Sequence, residues 1–321
     1  MVRRVIIGVH GLSNKPPQDT LKEWWWKSIT DGVHFYRGGK GIPSFEARHE
    51  ILSEADFDLV YWAALMYPKP VSVDSDRQPY VEIDEAPPVG RPRWLDKVEG
   101  WAGSITRGTH GVAAPHLQLW DDVRKLWNRL GLRGPLSQLV EDKLRDLVKY
   151  WEEAGGSIRE CFQGVLLRHI ERQRDSDMLV VAHSMGSIVA YDAINDWAES
   201  PLEERPLTLI TIGSPLGIPR VREKLRPPPG MTPATFPSSR IKAWFNFADP
   251  QDLVADLAHL APYFKDRNRE KRIVDTFVAN DFRDLDGKKN AHKSFGYLRC
   301  PEVAAVIDGF FSAQASNVSS H

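Results

Sequence analysis

One stretch, residues 178–193, constrains the chain more than any other because its apolar periodicity changes partway along. The first apolar run, Leu-Val-Val-Ala, is continuous and indicates a short buried strand. Beyond it the apolar residues recur at helical spacing, which predicts a helix. Ser184 lies at the sharp turn between the two, with Ala182 and Gly186 two residues to either side. Small residues at these positions allow strand and helix to approach closely around a strained serine.

The predicted turn places Ser184 at the N-terminus of a helix. Unpaired backbone N–H groups and the helix dipole favour negative charge at such an end. A serine in this position is therefore suited to act as a nucleophile. The neighbouring His183 is expected to be a packing or hydrogen-bonding residue.

Other apolar runs predict further strands that alternate with helices. Repeated strand–helix order predicts an α/β domain whose sheet is mostly parallel and is covered by helices on both faces. Besides the strand before Ser184, strands are expected at 5–9, 57–66, 207–212, 241–247 and 272–278, and helices at 20–29, 158–172 and 303–311.

Residues 68–155 interrupt this alternation. Residues 67–92 contain six prolines without clear periodicity, which predicts a long loop or an extended arm. Residues 94–151 have helical periodicity, and Gly155-Gly156 is expected to end the block. The predicted domains are an α/β core formed by residues 1–67 and 156–321 and a mainly helical cap or insertion at 68–155.

Composition excludes several classes of protein. With 42% hydrophobic residues, 26% charged residues and a net charge of −1, the chain is typical of a globular protein and gives no reason to expect nucleic acid or an anionic membrane as partner. No apolar run is long enough to span a bilayer, and the N-terminal residues lack the features of a signal peptide. The two distant cysteines, Cys161 and Cys300, fit a reducing compartment. We therefore expect a cytoplasmic protein with no metal or other cofactor.

Two motifs resemble those of the α/β-hydrolase family. The sequence Ala-His-Ser-Met-Gly at 182–186 resembles its nucleophile elbow, with Ala in place of the commoner first Gly. His10-Gly11, after the first apolar strand, is similar to the family's oxyanion-loop motif. The resemblance covers nearly the whole chain apart from the insertion. It implies the α/β-hydrolase fold, with the insertion as a cap over the carboxyl edge of the sheet.

In this family the nucleophile is followed along the chain by an acid and then by a histidine. His292 lies in a polar loop between the last strand and the closing helix, where the family places its histidine, and is the expected base. His259 lies in a predicted helical turn and is the less favoured alternative. Asp252 and Asp249 both follow the strand at 241–247. Asp252 is preferred because Asp-Leu-Val at 252–254 is similar to the family's Asp-Pro-Val pattern, and Asp249 stays as the alternative acid.

The resemblance also implies an oxyanion hole formed by two backbone N–H groups. One belongs to Met185, the residue after the nucleophile, and the other is expected from Leu12 in the loop after His10-Gly11. These groups would stabilise the negative charge that develops when Ser184 attacks a carbonyl carbon.

The implied function is a serine hydrolase, esterase-like or lipase-like, that cleaves small-molecule or lipid-like carboxylic esters through an acyl-enzyme. The tryptophans of the insertion suggest an apolar acyl or alkyl group. Two alternatives stay open: another acyl-transfer enzyme on the same triad (a thioesterase, amidase or acyltransferase), and a catalytically inactive binding protein with a hydrolase fold. The sequence carries no signal for the oligomeric state.

Overall fold

A computed structural model describes residues 4–53, 55–88, 145–172, 176–255, 259–266 and 270–312. Within these ranges six strands form one sheet in the order β2-β1-β3-β4-β5-β6, and every neighbouring pair is parallel. The expected α/β class is thereby confirmed. The strands are β1 (Arg4–Val9), β2 (Ala55–Val60), β3 (Asp177–His183), β4 (Leu207–Ile212), β5 (Ile241–Ala248) and β6 (Ile273–Phe277).

Helices cover both faces of the sheet because its strands are apolar on both sides. Val5 and Ile7 of β1 belong to a hydrophobic cluster with the helices at 155–172 and 185–195, whereas Ile6 belongs to a second cluster with the helices at 18–36, 294–299 and 301–312. None of the helices that the structure describes is long and apolar enough to cross a membrane. The helices are α1 (Gln18–Tyr36), α2 (Phe45–Ile51), α3 (Gly155–Arg172), α4 (Met185–Asn195), α5 (Pro219–Lys224), α6 (Ser294–Arg299) and α7 (Pro301–Ser312).

The strand predicted at 57–66 is too long. Strand β2 ends at Val60, where its partner β1 also ends, so the chain has no further ladder to join. The next residues turn inward, and the indole of Trp62 stacks on the His10 ring at 4.6 Å and donates to the His10 carbonyl oxygen at 3.0 Å. A 3-10 turn at Ala63–Leu65 follows. The aromatic residues that suggested a longer strand therefore pack beneath the loop after β1.

The prediction that the helix ends at Gly155-Gly156 is also wrong. Residues 145–149 are helical and continue through a π-helical turn at Tyr150–Ala154 directly into α3. A Cβ atom on Gly155 would lie 2.4 Å from the Tyr150 carbonyl oxygen, so the glycine permits a close backbone approach inside the helix. The arm expected from residue 67 lacks α-helix and strand as far as residue 88, and predictions for 89–144 lie outside the described residues.

One carboxyl group is buried where α4 packs near the start of α3. Asp192 accepts hydrogen bonds from the Tyr150 hydroxyl at 2.9 Å and from the Arg226 backbone N–H at 2.8 Å. Burial raises the pKa of Asp192 to about 7, although these hydrogen bonds oppose the shift. The folded protein therefore holds a proton at Asp192 at pH values where the unfolded chain has released it.

This burial predicts a pH-dependent contribution to stability. Because the pKa is raised by folding, the contribution of Asp192 is largest below about pH 4 and is lost as the pH rises through about 7. We expect the free energy of unfolding of the wild type to fall, relative to Asp192→Asn, between about pH 4 and about pH 7. Urea unfolding of both proteins across this range measures the difference, and a difference independent of pH would contradict the assignment.

Candidate active site

Ser184 occupies a strained turn between β3 and α4. Its backbone has φ 54° and ψ −129°, a region that non-glycine residues rarely adopt. The Ser184 N–H holds the turn by donating to the Ile212 carbonyl oxygen of β4 at 3.0 Å. Gly186 permits the turn to approach β1, since a Cβ there would lie 2.4 Å from the Val9 carbonyl oxygen. The glycine expected at 186 thus has a steric reason.

The structure brings Ser184, His292 and Asp252 into one line of hydrogen bonds. The Ser184 Oγ lies 2.9 Å from His292 Nε2, and His292 Nδ1 lies 2.8 Å from Asp252 Oδ2. Because the Asp252 carboxylate only accepts, we assign the imidazole proton to Nδ1. Nε2 then accepts from the serine hydroxyl, so the imidazole is oriented to remove its proton. His259, the less favoured base, lies near Asp275 instead, with 3.8 Å between Nδ1 and Oδ2.

Asp252 is buried and fixed by two further donors. The Tyr297 hydroxyl donates to Oδ2 at 2.7 Å, and the Val254 backbone N–H donates to Oδ1 at 2.9 Å. Burial raises the pKa of Tyr297 well above its ordinary value, so this hydroxyl stays protonated as a donor. The carboxylate that contacts His292 therefore has both oxygens engaged and little freedom to rotate.

Asp249, the alternative acid, does not contact His292 but supports the loop that carries it. Its Oδ2 accepts from the Asn280 backbone N–H at 2.7 Å. The Asn280 side chain in turn donates to the carbonyl oxygens of Ala291 and Lys293, at 2.8 and 2.9 Å. These two residues flank His292, so Asp249 and Asn280 together hold the loop that carries His292, here called the histidine loop.

Sequence reasoning missed Asn280 and Tyr297. Asn280 follows β6 by three residues, and its position beyond a strand end was the available signal. His183 is a hydrogen-bonding residue, as expected. Its Nε2 lies 2.7 Å from the His292 carbonyl oxygen, and the two rings are 4.8 Å apart. The histidine loop is thus held from two sides.

The loop after β1 approaches Ser184 closely at Gly11, where a Cβ would lie 2.8 Å from the Ser184 Cβ. Burial and the charge of Lys15 lower the pKa of His10 to about 3, so its ring is neutral. Its Nε2 accepts from the Ala63 N–H at 3.3 Å, which leaves the proton on Nδ1 to donate to the Gly11 carbonyl oxygen at 2.8 Å.

In a trans peptide the carbonyl and the N–H point in opposite directions. The bond from His10 to the Gly11 carbonyl oxygen therefore directs the Leu12 N–H away from the imidazole. Within the described ranges, neither the Leu12 N–H nor the Met185 N–H donates to a protein acceptor. Both groups lie beside Ser184 in sequence or space and are available to an oxygen of a bound molecule.

A comparison with known proteins finds no match: no protein-family model, no curated protein and no solved structure is similar to this chain. Among the residues that the structure describes, no group of His, Cys, Asp and Glu side chains is arranged to hold a metal ion. The chemistry of the site is therefore interpreted from its own atoms. The site provides a hydroxyl beside an imidazole, a buried carboxylate behind that imidazole, and backbone donors nearby.

Proposed function

We propose that this protein is a serine hydrolase of the α/β-hydrolase family that cleaves carboxylic esters through an acyl-enzyme on Ser184. The observation that carries the proposal is the hydrogen-bonded line from Asp252 through His292 to Ser184, at a positive-φ turn between a strand and a helix. Serine, base and orienting acid in such contact are the groups that acyl transfer requires.

The proposed reaction has two displacements. Ser184 Oγ attacks the ester carbonyl carbon while its proton moves to His292 Nε2, and the resulting oxyanion is bound by the N–H groups of Leu12 and Met185. The bond to the leaving alcohol breaks as Nε2 returns the proton to it. Water then attacks the acyl-enzyme with His292 again as base, which releases the acid and restores the serine. Asp252 stabilises the imidazolium in both steps.

The topology supports the α/β-hydrolase fold, and we propose residues 68–155 as its cap. Ser184 follows β3, Asp252 follows β5 and His292 follows β6, so all three lie beyond the carboxyl ends of parallel strands. Ligands of open α/β sheets bind at this edge. The preference for an apolar acyl or alkyl group rests on the tryptophan content of the insertion.

Labelling and a substrate panel test the proposal. A fluorophosphonate should modify the protein, and mass spectrometry of the digest should place the adduct on Ser184. Chromogenic esters of increasing acyl length, compared with thioesters and amides of the same acyl group, distinguish an esterase from another acyl-transfer enzyme on the same triad. Absence of labelling and of turnover would instead favour an inactive binding protein. A preference for the shortest acyl groups would contradict an apolar acyl pocket.

Gly213, directly after β4, offers a local test of the site. Its φ is +56°, and an added Cβ would lie 2.8 Å from Asp252 Oδ2 and 3.3 Å from His292 Nδ1. We expect Gly213→Ala to lower kcat/KM by about tenfold or more, because it displaces the acid and the base together. Steady-state kinetics with a short chromogenic ester measures the loss.

The matched control is Gly287→Ala. Gly287 also has a positive φ, +75°, but nothing lies within 4 Å of an added Cβ. Both substitutions impose a backbone strain of about 1–2 kcal/mol, and both should lower the melting temperature. Only the Gly213 variant should lose activity. Equal losses in the two variants would show that general destabilisation, not displacement of the triad, is responsible.

A further inference from the structure

The loop after β1, residues 11–17, is bound by both ends of the insertion. At the insertion's start, the Lys69 carbonyl oxygen accepts from the Asn14 side chain at 2.7 Å. The Val71 N–H donates to the Lys15 carbonyl oxygen at 2.8 Å. At the insertion's end, Asp146 Oδ2 accepts from the Ser13 N–H at 3.1 Å, across 133 residues of sequence. The loop next to Ser184 therefore depends on residues outside the predicted core.

Asp146 is well placed to hold this loop. It is buried, and the Tyr67 hydroxyl donates to the same Oδ2 that accepts from Ser13. The π-helical turn at Tyr150–Ala154 follows it in the same helical segment, and Asp146, Leu147 and Tyr150 are all buried. The carboxylate is thus presented by a packed helix and oriented by a second side chain.

The peptide between Leu12 and Ser13 is fixed at both of its ends. Lys15 Nζ donates to the Leu12 carbonyl oxygen, and Asp146 accepts from the Ser13 N–H. Ser13 has φ +72°, a strained conformation for a non-glycine residue that persists only where its surroundings impose it. The preceding peptide, between Gly11 and Leu12, carries the Leu12 N–H. Without the Asp146 carboxylate, Ser13 would relax, and only the bond from His10 to the Gly11 carbonyl oxygen would hold the Leu12 N–H in its direction.

We infer that Asp146, carried by the insertion, is a positioning residue for the oxyanion hole. This inference rests on the proposed function, because it assigns the Leu12 N–H to the oxyanion of the acyl-transfer reaction. The insertion would then contribute to the chemical step as well as to substrate selection. Asp146 would not touch the substrate and would act through Ser13 and Leu12.

The test is Asp146→Ala in the full-length protein. Removing one oxyanion donor typically lowers kcat by a hundredfold or more, and a misdirected donor should lower it by about tenfold to a hundredfold with KM nearly unchanged. A trifluoromethyl ketone forms a tetrahedral adduct on the serine whose oxyanion needs the same donor. Its affinity should therefore fall by the same factor as kcat/KM. Asp146→Asn keeps an acceptor oxygen and should recover most of the activity.

Two further variants keep the result interpretable. Tyr150→Phe lies in the same helical segment, but its hydroxyl bonds to Asp192 and not to the loop, so it should lower stability while leaving kcat unchanged. Tyr67→Phe keeps the Asp146 carboxylate but removes the donor that orients it. It should lower kcat and ketone affinity in parallel, and it replaces Asp146→Ala if that variant does not fold.

The outcomes separate the inference from the proposed function. A wild type that neither reacts with the fluorophosphonate nor hydrolyses esters refutes the proposed function itself. If the wild type is active but Asp146→Ala, or Tyr67→Phe in its place, keeps its kcat and ketone affinity within about twofold, the inference is overturned and the hydrolase stands. A parallel loss of both quantities, with recovery in Asp146→Asn, supports it.

Discussion

Ser184→Ala is expected to lower kcat for ester hydrolysis by about a millionfold, to the level that binding and the oxyanion donors alone provide. The substitution removes the atom that forms the acyl-enzyme and leaves His292 Nε2 without its partner at 2.9 Å. Fluorophosphonate labelling should disappear completely. Because the turn is held through the Ser184 N–H, which alanine keeps, the melting temperature should stay near that of the wild type.

A serine-to-alanine substitution elsewhere in the chain is the matched control. It distinguishes the effect of losing the Ser184 hydroxyl from the effect of replacing a serine as such. Ser157, an exposed residue of α3, lies on a different helix and should tolerate alanine with full activity and labelling. Pre-steady-state kinetics with an excess of chromogenic ester should show a burst of alcohol release in the wild type and in Ser157→Ala when deacylation is the slower step. Residual labelling in Ser184→Ala equal to the wild type would refute the nucleophile.

Asp252→Asn is expected to lower kcat by about ten-thousandfold. The carboxylate accepts from His292, Tyr297 and Val254, which are all donors. An asparagine amide has one oxygen and one NH₂ group, so its NH₂ must face either His292 and Tyr297 or the Val254 N–H. If it faces His292, Nδ1 becomes the acceptor and Nε2 carries the proton, so the imidazole can no longer accept from Ser184. If it faces Val254 instead, two donors oppose each other inside the core.

Asp249→Asn is the control, because it changes the same chemical group three residues earlier. Its oxygens accept from the backbone N–H groups of Gln251 and Asn280, so the amide loses one of these bonds. We expect a stability loss of about 1–3 kcal/mol and a fall in kcat of less than about tenfold. Urea unfolding and steady-state kinetics measure the two quantities separately. A large activity loss in Asp249→Asn with an active Asp252→Asn would exchange the two roles.

Local sequence patterns predict much of the fold and part of the candidate site. The strand before Ser184, the turn and the following helix follow from apolar periodicity over a few residues, and the order of strands and helices follows from the same signal. The strand, turn and helix depend on short-range sequence, so they can be predicted without knowledge of the three-dimensional packing. His292 was favoured because the resemblance to the α/β-hydrolase family places the base after the last strand.

The features that escaped prediction depend on contacts between distant segments. Asp252 was preferred in sequence, but Asp249 stayed open because both follow the same strand, and the contact that distinguishes them joins Asp252 to His292, 40 residues away. The contact between Asp146 and Ser13 has no local periodicity. Gly155 escaped prediction for a local reason: it resembles a helix breaker in sequence, yet the helix continues through it, and the Tyr150 carbonyl oxygen of the π-helical turn leaves no room for a Cβ there.

Because the positive φ at Ser184 is strained, a substitution there that raises stability is expected to remove the proposed activity. A strained non-glycine residue costs about 1–3 kcal/mol, a substantial part of the stability of a typical domain. Glycine would adopt this backbone without strain, but it would lack the hydroxyl. Directed evolution that rewards only expression or thermal resistance would therefore favour loss of the proposed nucleophile. Any engineering of this protein for stability needs turnover in its screen.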